Sequence, residues 1–463
     1  MSTSEPSQTE PVTAADCPLS RREQTRNVIL YGCNIALVYL GAPVLYVGIT
    51  HAALIKRLGA SDAASKASDT ISSLPGAVYL WMTPLPVLFA WYFCRVRQLK
   101  NVLVCTYLSM ALAGAAVAAI LISGAGREVS VAALIVHGGL LGCGLGIVNT
   151  FQWEVIGRGV SESRRGQALA LAFGAGPVLA FLSSMASQLV LTGSVEVPWF
   201  ELPLHFKMVS LSMRTLAFPW NFAALFAATA GIMAVAAALS GGFVVPQPEK
   251  EPARPAFVSG VFGGFLKFLS RRLILLAVIA NILVYAGYTI ITNISNYTPE
   301  AIGEAAEKYA GYQNALRFGF KIVAGFLLGW ILTRWHPKAG LLATCAVLIG
   351  GVAWVIAVPA MDIPAKWFLL SFGILGAGEL FGVYYPNYIL SCSPKSEMRR
   401  NMAFCSLITM PAGFAPIVFG LISDNVSYRA SFLAAIGLLS LTFLFVLFAL
   451  PARPRPHAGL DDY

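Results

Sequence analysis

Stretches of about twenty mostly apolar residues recur along almost the whole chain, separated by short polar segments. A membrane-spanning helix needs about 20 such residues, because the hydrocarbon core of a bilayer is roughly 30 Å thick. Reading in windows of that size predicts twelve spans. In chain order, they are 28–50, 71–93, 102–125, 129–152, 167–192, 217–240, 273–297, 311–333, 339–361, 366–390, 402–423 and 430–450.

The composition fits a membrane protein and excludes several other classes. Hydrophobic residues make up 57% of the 463 residues, and only 12% are charged, whereas soluble domains carry about 25% charged residues. A soluble enzyme, a disordered protein and a collagen-like fibre are therefore excluded. The net charge of +10 does not point to nucleic acid, because the basic residues lie in short loops between apolar runs. We expect an all-α integral membrane protein.

The long polar segment between the sixth and seventh spans divides the chain into two halves. It contains four prolines and charges of both signs, and Val261 to Leu269 could form a helix on the membrane surface. The predicted organisation is a disordered cytoplasmic tail (1–27), a six-helix bundle (28–240), a cytoplasmic linker (241–272), a second six-helix bundle (273–450) and a cytoplasmic tail (451–463).

The distribution of lysine and arginine predicts the orientation. With the N-terminus inside, 21 of the 32 basic residues fall in cytoplasmic segments, nine on the opposite side and two within a span. Cytoplasmic loops of membrane proteins carry such an excess. Both termini are therefore expected in the cytoplasm, with the bacterial inner membrane as the default location.

The two halves share a sequence repeat. The pattern S-E-x-R-R-x-x-A begins at Ser161, after the fourth span, and again at Ser396, after the tenth, 235 residues later. A proline follows within the next helix in both copies, at Pro177 and Pro411. Two halves in the same orientation form a parallel repeat, which is typical of transporters that work by rocking two domains. The alternative is chance similarity between two basic loops.

With its twelve spans, central linker and repeated halves, the chain resembles the major facilitator superfamily from residue 28 to 450. The family's Gly-x-x-x-Asp-Arg-x-Gly-Arg loop signature is degenerate, since Thr333 replaces the aspartate after the eighth span. The resemblance implies alternating access and a central cavity lined by spans 1, 4, 7 and 10. It also implies gating roles for the loop arginines, which are Arg95, Arg164, Arg165, Arg334, Arg399 and Arg400.

Span 7 carries the clearest candidate binding surface. Asn281, Tyr285, Tyr288, Thr292 and Asn296 follow one another at intervals of four, three, four and four residues, which places them on one face of a helix. Such a polar stripe is unfavourable against lipid. It would either line a cavity for a polar solute or hydrogen-bond to neighbouring helices.

Spans 1 and 4 offer further polar candidates. Span 1 contains Asn34, Tyr39 and Tyr46, and span 4 contains Asn149 and Gln152. His137, also in span 4, could titrate near neutral pH, although a lone histidine more often serves packing. From these spans we take Asn34, Tyr39, Asn149 and Gln152 as substrate-binding candidates.

Charged residues inside two spans form the most specific signal. Arg317 and Lys321 lie four residues apart in span 8, and Glu379 lies near the middle of span 10. Burying one such charge alone is costly, so they should be paired or face water. Glu379 could carry a coupling proton, or the two cations could bind an anionic solute; a static ion pair is the third possibility. Arg317 could instead reach the membrane surface.

Two expectations concern the acidic residues. If Lys321 and Glu379 form a pair, removing Glu379 should restore the stability lost on removing Lys321. Asp69 is expected to cap the start of span 2, and Asp424 to lie at a cytoplasmic helix end.

The sequence predicts a secondary active transporter rather than an enzyme. No Gly-x-x-x-x-Gly-Lys-[Ser/Thr] loop or metal-binding motif occurs, so we expect neither ATP drive nor a cofactor. The preferred function is proton-coupled symport of a small polar solute, such as a sugar or nucleoside, by a monomer. One alternative is transport of an organic anion, or export of a drug-like compound, through Arg317 and Lys321. Another is a membrane sensor or assembly factor that moves nothing.

Overall fold

The computed structural model describes residues 18–59, 68–197, 209–247, 256–392, 401, 404–405 and 407–454. Nine helical stretches within these residues are long and apolar enough to cross a membrane. Predicted spans 1 and 8 are also helical, and span 11 is helical from Ala415 onward. The chain has twelve membrane-spanning segments in two six-helix halves, as the sequence predicted.

In the first half, α1, α2 and α3 form span 1, α4 and α5 form span 2, and α6 to α9 form spans 3 to 6. These helices are α1 (Arg21–Leu40), α2 (Ala42–Leu45), α3 (Ile49–Gly59), α4 (Asp69–Trp81), α5 (Leu85–Tyr92), α6 (Leu99–Ile122), α7 (Arg127–Gly159), α8 (Glu162–Thr192) and α9 (Trp220–Ser240).

In the second half, α11 and α12 form span 7, α14 and α15 form spans 8 and 9, and α16 and α17 form span 10. Span 11 ends in α18, and α19 forms span 12. The helices are α10 (Gly264–Leu269), α11 (Arg272–Tyr288), α12 (Ile291–Asn296), α13 (Thr298–Ile302), α14 (Ala310–Arg334), α15 (Pro337–Ala360), α16 (Leu370–Gly378), α17 (Phe381–Ser391), α18 (Ala415–Asn425) and α19 (Tyr428–Ala449).

Helix α1 begins at Arg21, within the segment that the sequence analysis assigned to a disordered tail ending at residue 27. Ser20 caps it: its hydroxyl accepts a hydrogen bond from the Glu23 backbone N–H, and Glu23 bonds back to the Ser20 N–H. This capping box satisfies donors that a helix start otherwise leaves open. The predicted boundary was therefore too late.

A short β-hairpin follows span 5, in the segment between the predicted spans 5 and 6. Strands β1 (Ser194–Val197) and β2 (Val209–Ser212) pair antiparallel, with Ser194 opposite Ser212. The Glu196 backbone N–H donates to the Tyr312 hydroxyl at 2.9 Å. The hairpin thus contacts the second half of the chain.

The two halves repeat the same packing. In the first half α4 and α6 pack against α7, and α6 packs against α9; in the second half α14 and α15 pack against α16, and α15 packs against α19. The halves meet where α8 contacts α14 and where α4 contacts α18. Spans 5 and 8, and spans 2 and 11, are the pairs that a two-fold relation between the halves would bring together.

A glycine in the fourth span of each half allows the closest of these contacts. A Cβ at Gly142 would lie 2.0 Å from the Tyr79 carbonyl oxygen, and one at Gly376 would lie 2.0 Å from the Arg317 carbonyl oxygen. Only glycine permits so close an approach. The repeat therefore places Tyr79 and Arg317 at equivalent positions, one in each half.

Several spans are interrupted part of the way along their length. Span 1 bends between Gly41 and Gly48, which has φ of +146°. Span 7 breaks after Tyr288, and span 10 breaks at Glu379. Discontinuous helices of this kind form the binding sites of many transporters.

Candidate functional site

The three charged residues predicted within spans 8 and 10 lie together. Arg317 donates two hydrogen bonds to Glu379, from Nε to Oε2 at 2.8 Å and from an Nη atom to Oε1 at 2.9 Å. The Lys321 Nζ lies 3.1 Å from the same Oε2. The side chains are 5%, 10% and 12% exposed for Arg317, Lys321 and Glu379. Arg317 therefore does not reach the membrane surface.

Local backbone structure explains how this cluster forms. Arg317 and Lys321 are one turn apart on α14, so they share a face. Gly376 lets α16 press against α14 at Arg317. Helix α16 then ends, and Glu379 follows its last residue, with its backbone N–H still bonded to the Leu375 carbonyl. The carboxylate is thereby placed beside both cations.

Aromatic rings from both halves surround the cluster. The Arg317 guanidinium lies 5.4 Å from the centre of the Tyr46 ring, 5.6 Å from Phe318 and 5.8 Å from Tyr288. The Lys321 ammonium lies 5.7 Å from Tyr46 and 5.6 Å from Phe318. Cations are attracted to ring faces at such distances. Tyr46 belongs to the first half, so the site spans the boundary between the halves.

Span 7 divides into two parts with different surroundings. Tyr285 and Tyr288 pack edge-on against Phe381, beside the cluster. Asn281 is buried one turn before Tyr285. Thr292 lies beyond the helix break, as does Asn296, whose amide donates to the Ser72 hydroxyl at 2.6 Å. One part of the stripe therefore lies beside the charged cluster, and the other part forms contacts between the halves.

The candidates from spans 1 and 4 are dispersed. Tyr39 stacks on Tyr46, with ring centres 6.1 Å apart, and so lies next to the cluster. Asn34 is fully buried and accepts a hydrogen bond from Ser240 of α9, within the first half. Gln152 is buried and donates to the Tyr107 hydroxyl. Asn149 is exposed on α7.

Asn34 and Gln152 thus join helices within one half. Their assignment as substrate-binding residues stays a prediction: the Asn34 amide oxygen accepts from Ser240, while the Gln152 amide oxygen has no hydrogen-bond partner among the described residues.

The loop arginines that the structure describes hold helix ends within one half or are exposed. Arg164 donates to the Arg21 carbonyl and to the Thr25 hydroxyl, which ties α8 to α1. Arg165 donates to the carbonyls of Gly157 and Val160 at the end of α7. Arg95 and Arg334 are exposed. Arg399 and Arg400 lie outside the described residues.

Among the described residues, a group of polar contacts between the halves lies on the side opposite the start of α1 and the end of α19, which we call the outer side. Asp424 of α18 accepts hydrogen bonds at the start of α4, from the Asp69 N–H at 2.8 Å, the Thr70 N–H at 3.0 Å and the Thr70 and Ser68 hydroxyls. Ser68 is the cap of α4. Asp69 instead binds Lys56 at 2.5 Å and the Tyr428 hydroxyl at 2.9 Å.

These contacts correct two expectations. Asp69 is the first residue of α4 and not its cap. Asp424 lies on the outer side, because span 11 runs outward from the loop that follows span 10. Polar contacts also join Arg57 to Glu307, Ser73 to Asn293, and Gln188 to Gly311 on this side. We name the contact of Asp424 with Ser68, Asp69 and Thr70 the outer latch.

His137 is not isolated. Its Nδ1 lies 3.0 Å from Nε2 of His51, and the two rings stack beside Phe226 in the interior of the first half. The pair is buried. This agrees with the packing interpretation of His137.

Sequence reasoning missed three aromatic residues at the site. Phe318 and Phe381 are ordinary apolar residues of a span when read alone, although each lies within two residues of a charged one. Tyr79 packs in one apolar cluster with Tyr285. Its position follows from the repeat, since it is equivalent to Arg317.

Comparisons with known proteins place this geometry in a known fold. No family model matches the chain, and no curated protein matches it in sequence. Among solved structures, a D-xylose-proton symporter matches with a TM-score of 0.69 and 12% identity, covering 93% of this chain and 98% of that one. A peptide transporter, POT, solved in complex with sulfate, matches with a TM-score of 0.62 and 15% identity, covering 91% and 94%.

The nucleoside transporter NupG also matches, with a TM-score of 0.59 and 10% identity, covering 92% of this chain and 98% of that one. These three proteins carry different solutes on one architecture, so the likeness concerns the fold. Coverage of nine tenths of the chain includes both halves. The chain therefore has the twelve-helix fold of the major facilitator transporters.

Proposed function

We propose that this protein is a secondary active transporter that carries a small polar solute, sugar-like or nucleoside-like in size, in symport with protons. The observation that carries the proposal is the Arg317–Lys321–Glu379 cluster, buried where interrupted helices meet and enclosed by aromatic rings of both halves. Ionisable groups in this position mark solute and ion pathways in membrane proteins. The site would hold a solute between two domains that move.

The same arrangement supports alternating access. The outer latch joins the halves on one side of the cluster, so we interpret the structure as a state closed to the outside. Release of the latch would let spans 2 and 11 separate and expose the cluster to the outer side. We further propose that the protein is a monomer in a bacterial inner membrane, with both termini in the cytoplasm.

Transport itself is tested with the purified protein in liposomes. An inward proton gradient should drive accumulation of a radiolabelled sugar, nucleoside or sugar acid, and a protonophore should abolish it. A thermal screen at pH 6 and pH 8 identifies the solute first, since a ligand at 100 times its Kd stabilises the folded state by about 2.7 kcal/mol. Absence of proton-driven accumulation for every stabilising solute would contradict symport.

Tyr288→Phe should weaken solute binding without weakening the fold. The Tyr288 hydroxyl is buried and, among the described residues, forms no hydrogen bond of standard distance and angle. A buried hydroxyl without a partner is unfavourable, and a solute would supply the missing bond. We expect Kd to rise about 5- to 10-fold, which corresponds to one hydrogen bond of about 1 kcal/mol. Isothermal titration measures Kd, and thermal unfolding measures Tm.

Tyr107→Phe is the matched control, because the Tyr107 hydroxyl already accepts from Gln152 within the first half. It should leave Kd unchanged. An unchanged Kd in Tyr288→Phe would indicate that the span 7 tyrosines serve helix packing and not solute binding.

Asp424→Asn should open the outer side. The substitution removes the charged acceptor at the start of α4, and hydrogen bonds to charged groups contribute about 1.5–3 kcal/mol. In a variant without native cysteines, Ser72→Cys reports on this opening, because Ser72 is buried against Asn296. Its reaction with a membrane-impermeant thiol reagent should accelerate about tenfold.

Asp362→Asn is the control for this variant, since Asp362 is an exposed outer aspartate. An unchanged rate at Ser72→Cys in the Asp424→Asn background would show that the latch does not hold the outer side closed.

A further inference from the structure

The charges of the cluster do not balance. Arg317 and Lys321 supply two positive charges and Glu379 supplies one negative charge. In the described part of the chain, neither cation has a second carboxylate within 4.0 Å. One positive charge is left over at a site with little exposure. Such a charge is costly in a low-dielectric interior, and the ring faces of Tyr46 and Phe318 compensate it only in part.

The surplus charge is located at Lys321. Arg317 uses a two-pronged contact with both oxygens of Glu379, a geometry that favours carboxylate recognition. Lys321 meets only Oε2, which it shares with Arg317, and its side chain is the more exposed of the two cations. An ammonium group has three donors. An incoming anion can therefore bind Lys321 without breaking the contact between Arg317 and Glu379.

The surroundings of Lys321 indicate what the rest of such an anion would meet. Tyr46 and Phe318 present apolar rings within 6 Å of the ammonium. The buried Tyr288 hydroxyl can bond to a hydroxyl or carbonyl group on the solute. These neighbours thus suit a small solute with apolar faces and at least one polar substituent.

We propose that the solute is a small organic monocarboxylate, whose carboxylate binds Lys321 and neutralises the surplus charge of the cluster. This rests on the proposed transport function and names its solute class. Binding of the carboxylate to Lys321 would also weaken the hold of that residue on Glu379. Glu379 could then accept the proton that accompanies the solute.

Three pairs of compounds, each a carboxylate and a neutral partner, test the charge requirement. They are glucuronate and glucose, lactate and lactamide, and benzoate and benzamide. Thermal unfolding of the full-length protein is measured with each compound at pH 7 and constant ionic strength. At least one carboxylate should raise Tm while its neutral partner does not. In Lys321→Gln the apparent Kd for that carboxylate should rise at least about tenfold, as expected on losing a hydrogen bond between charged groups.

Lys308→Gln is the matched control, because Lys308 is an exposed lysine bound to Glu304 on the outer side. It should bind the carboxylate as the wild type does, and Lys321→Arg, which keeps the charge, should retain binding. If Lys321→Gln unfolds, Lys321→Arg and the paired compounds still decide the result. Equal stabilisation by the neutral partners, no stabilisation by any carboxylate, or undiminished binding in folded Lys321→Gln would overturn the proposal.

Transport in liposomes separates failure of this inference from failure of the proposed function. Proton-driven uptake of glucose or a nucleoside, with no response to carboxylates, would reject the solute class and leave symport intact. Carboxylate binding without any proton-driven uptake would support the solute class and reject symport.

Discussion

In Glu379→Gln, a pH gradient should no longer drive solute accumulation, while exchange of solute across the membrane continues. Glutamine has nearly the shape of glutamate but neither gains nor loses a proton, so movement of the solute is separated from that of the proton. The ratio of inside to outside solute should fall to about one. Liposomes loaded with solute measure exchange, and empty liposomes under a pH gradient measure accumulation.

Glu154→Gln is the control, because Glu154 forms its ion pair with Arg158 one turn away on α7, apart from the cluster. This variant should accumulate solute normally. Accumulation that persists in Glu379→Gln would show that another group carries the proton. The buried His51–His137 pair would be the next candidate.

The two single variants of the cluster should differ in stability, with Glu379→Gln less stable than Lys321→Gln. Loss of the Glu379 charge leaves two buried cations without a counter-charge. Breaking a buried ion pair in this way costs about 3–5 kcal/mol. Lys321→Gln should cost far less, because Arg317 and Glu379 remain paired through two hydrogen bonds. Thermal unfolding of each purified variant, in the absence of solute, gives the ranking of Tm.

The double variant Glu379→Gln with Lys321→Gln makes this prediction sharper. It should be more stable than Glu379→Gln alone, because one uncompensated cation remains instead of two. It should still be less stable than Lys321→Gln. A Tm for Lys321→Gln as low as that for Glu379→Gln would mean that Lys321, and not Arg317, is the main partner of Glu379.

This ranking differs from the expectation based on sequence spacing. Spacing placed Lys321 and Glu379 at mid-depth, and we expected that, if the two form a pair, removing Glu379 would restore the stability lost with Lys321. The structure shows that pair, but its geometry leads us to expect no such restoration. Arg317 holds Glu379 through both oxygens, so removing Glu379 from a Lys321 variant exposes a new unpaired charge.

The span 7 stripe shows where prediction from helical periodicity stops being valid. An unbroken helix would place all five polar residues on one face, and Tyr285 and Tyr288 do contact the same ring, that of Phe381. The break after Tyr288 directs Asn296 to Ser72 instead. Periodicity assumes continuous hydrogen bonding, and only tertiary packing decides where a span departs from it.

The division of the chain at 241–272, the orientation of the termini and the roles of the loop arginines stay predictions. The structure places Arg164 and Arg165 at helix ends within one half. That placement suits a rigid domain, and it assigns no gating role to either residue.

The sequence by itself determined the membrane location, the twelve spans and the repeat of two six-helix halves. Length and hydropathy carry this information, because a bilayer requires apolar helices of fixed length whatever their neighbours are. It also identified the three buried charges, since a charge within a span is rare enough to need a partner. Each of these conclusions depends on properties that are local in the chain.

Only the tertiary structure decided which charges pair, which aromatic rings enclose them and how the halves close. Arg317 and Glu379 lie on different spans, and the close contact at Gly376 brings them together. The outer latch joins residues of α4 and α18, which are separated by most of the chain. Such contacts depend on how helices pack in three dimensions, and the order of residues along one helix does not encode that arrangement.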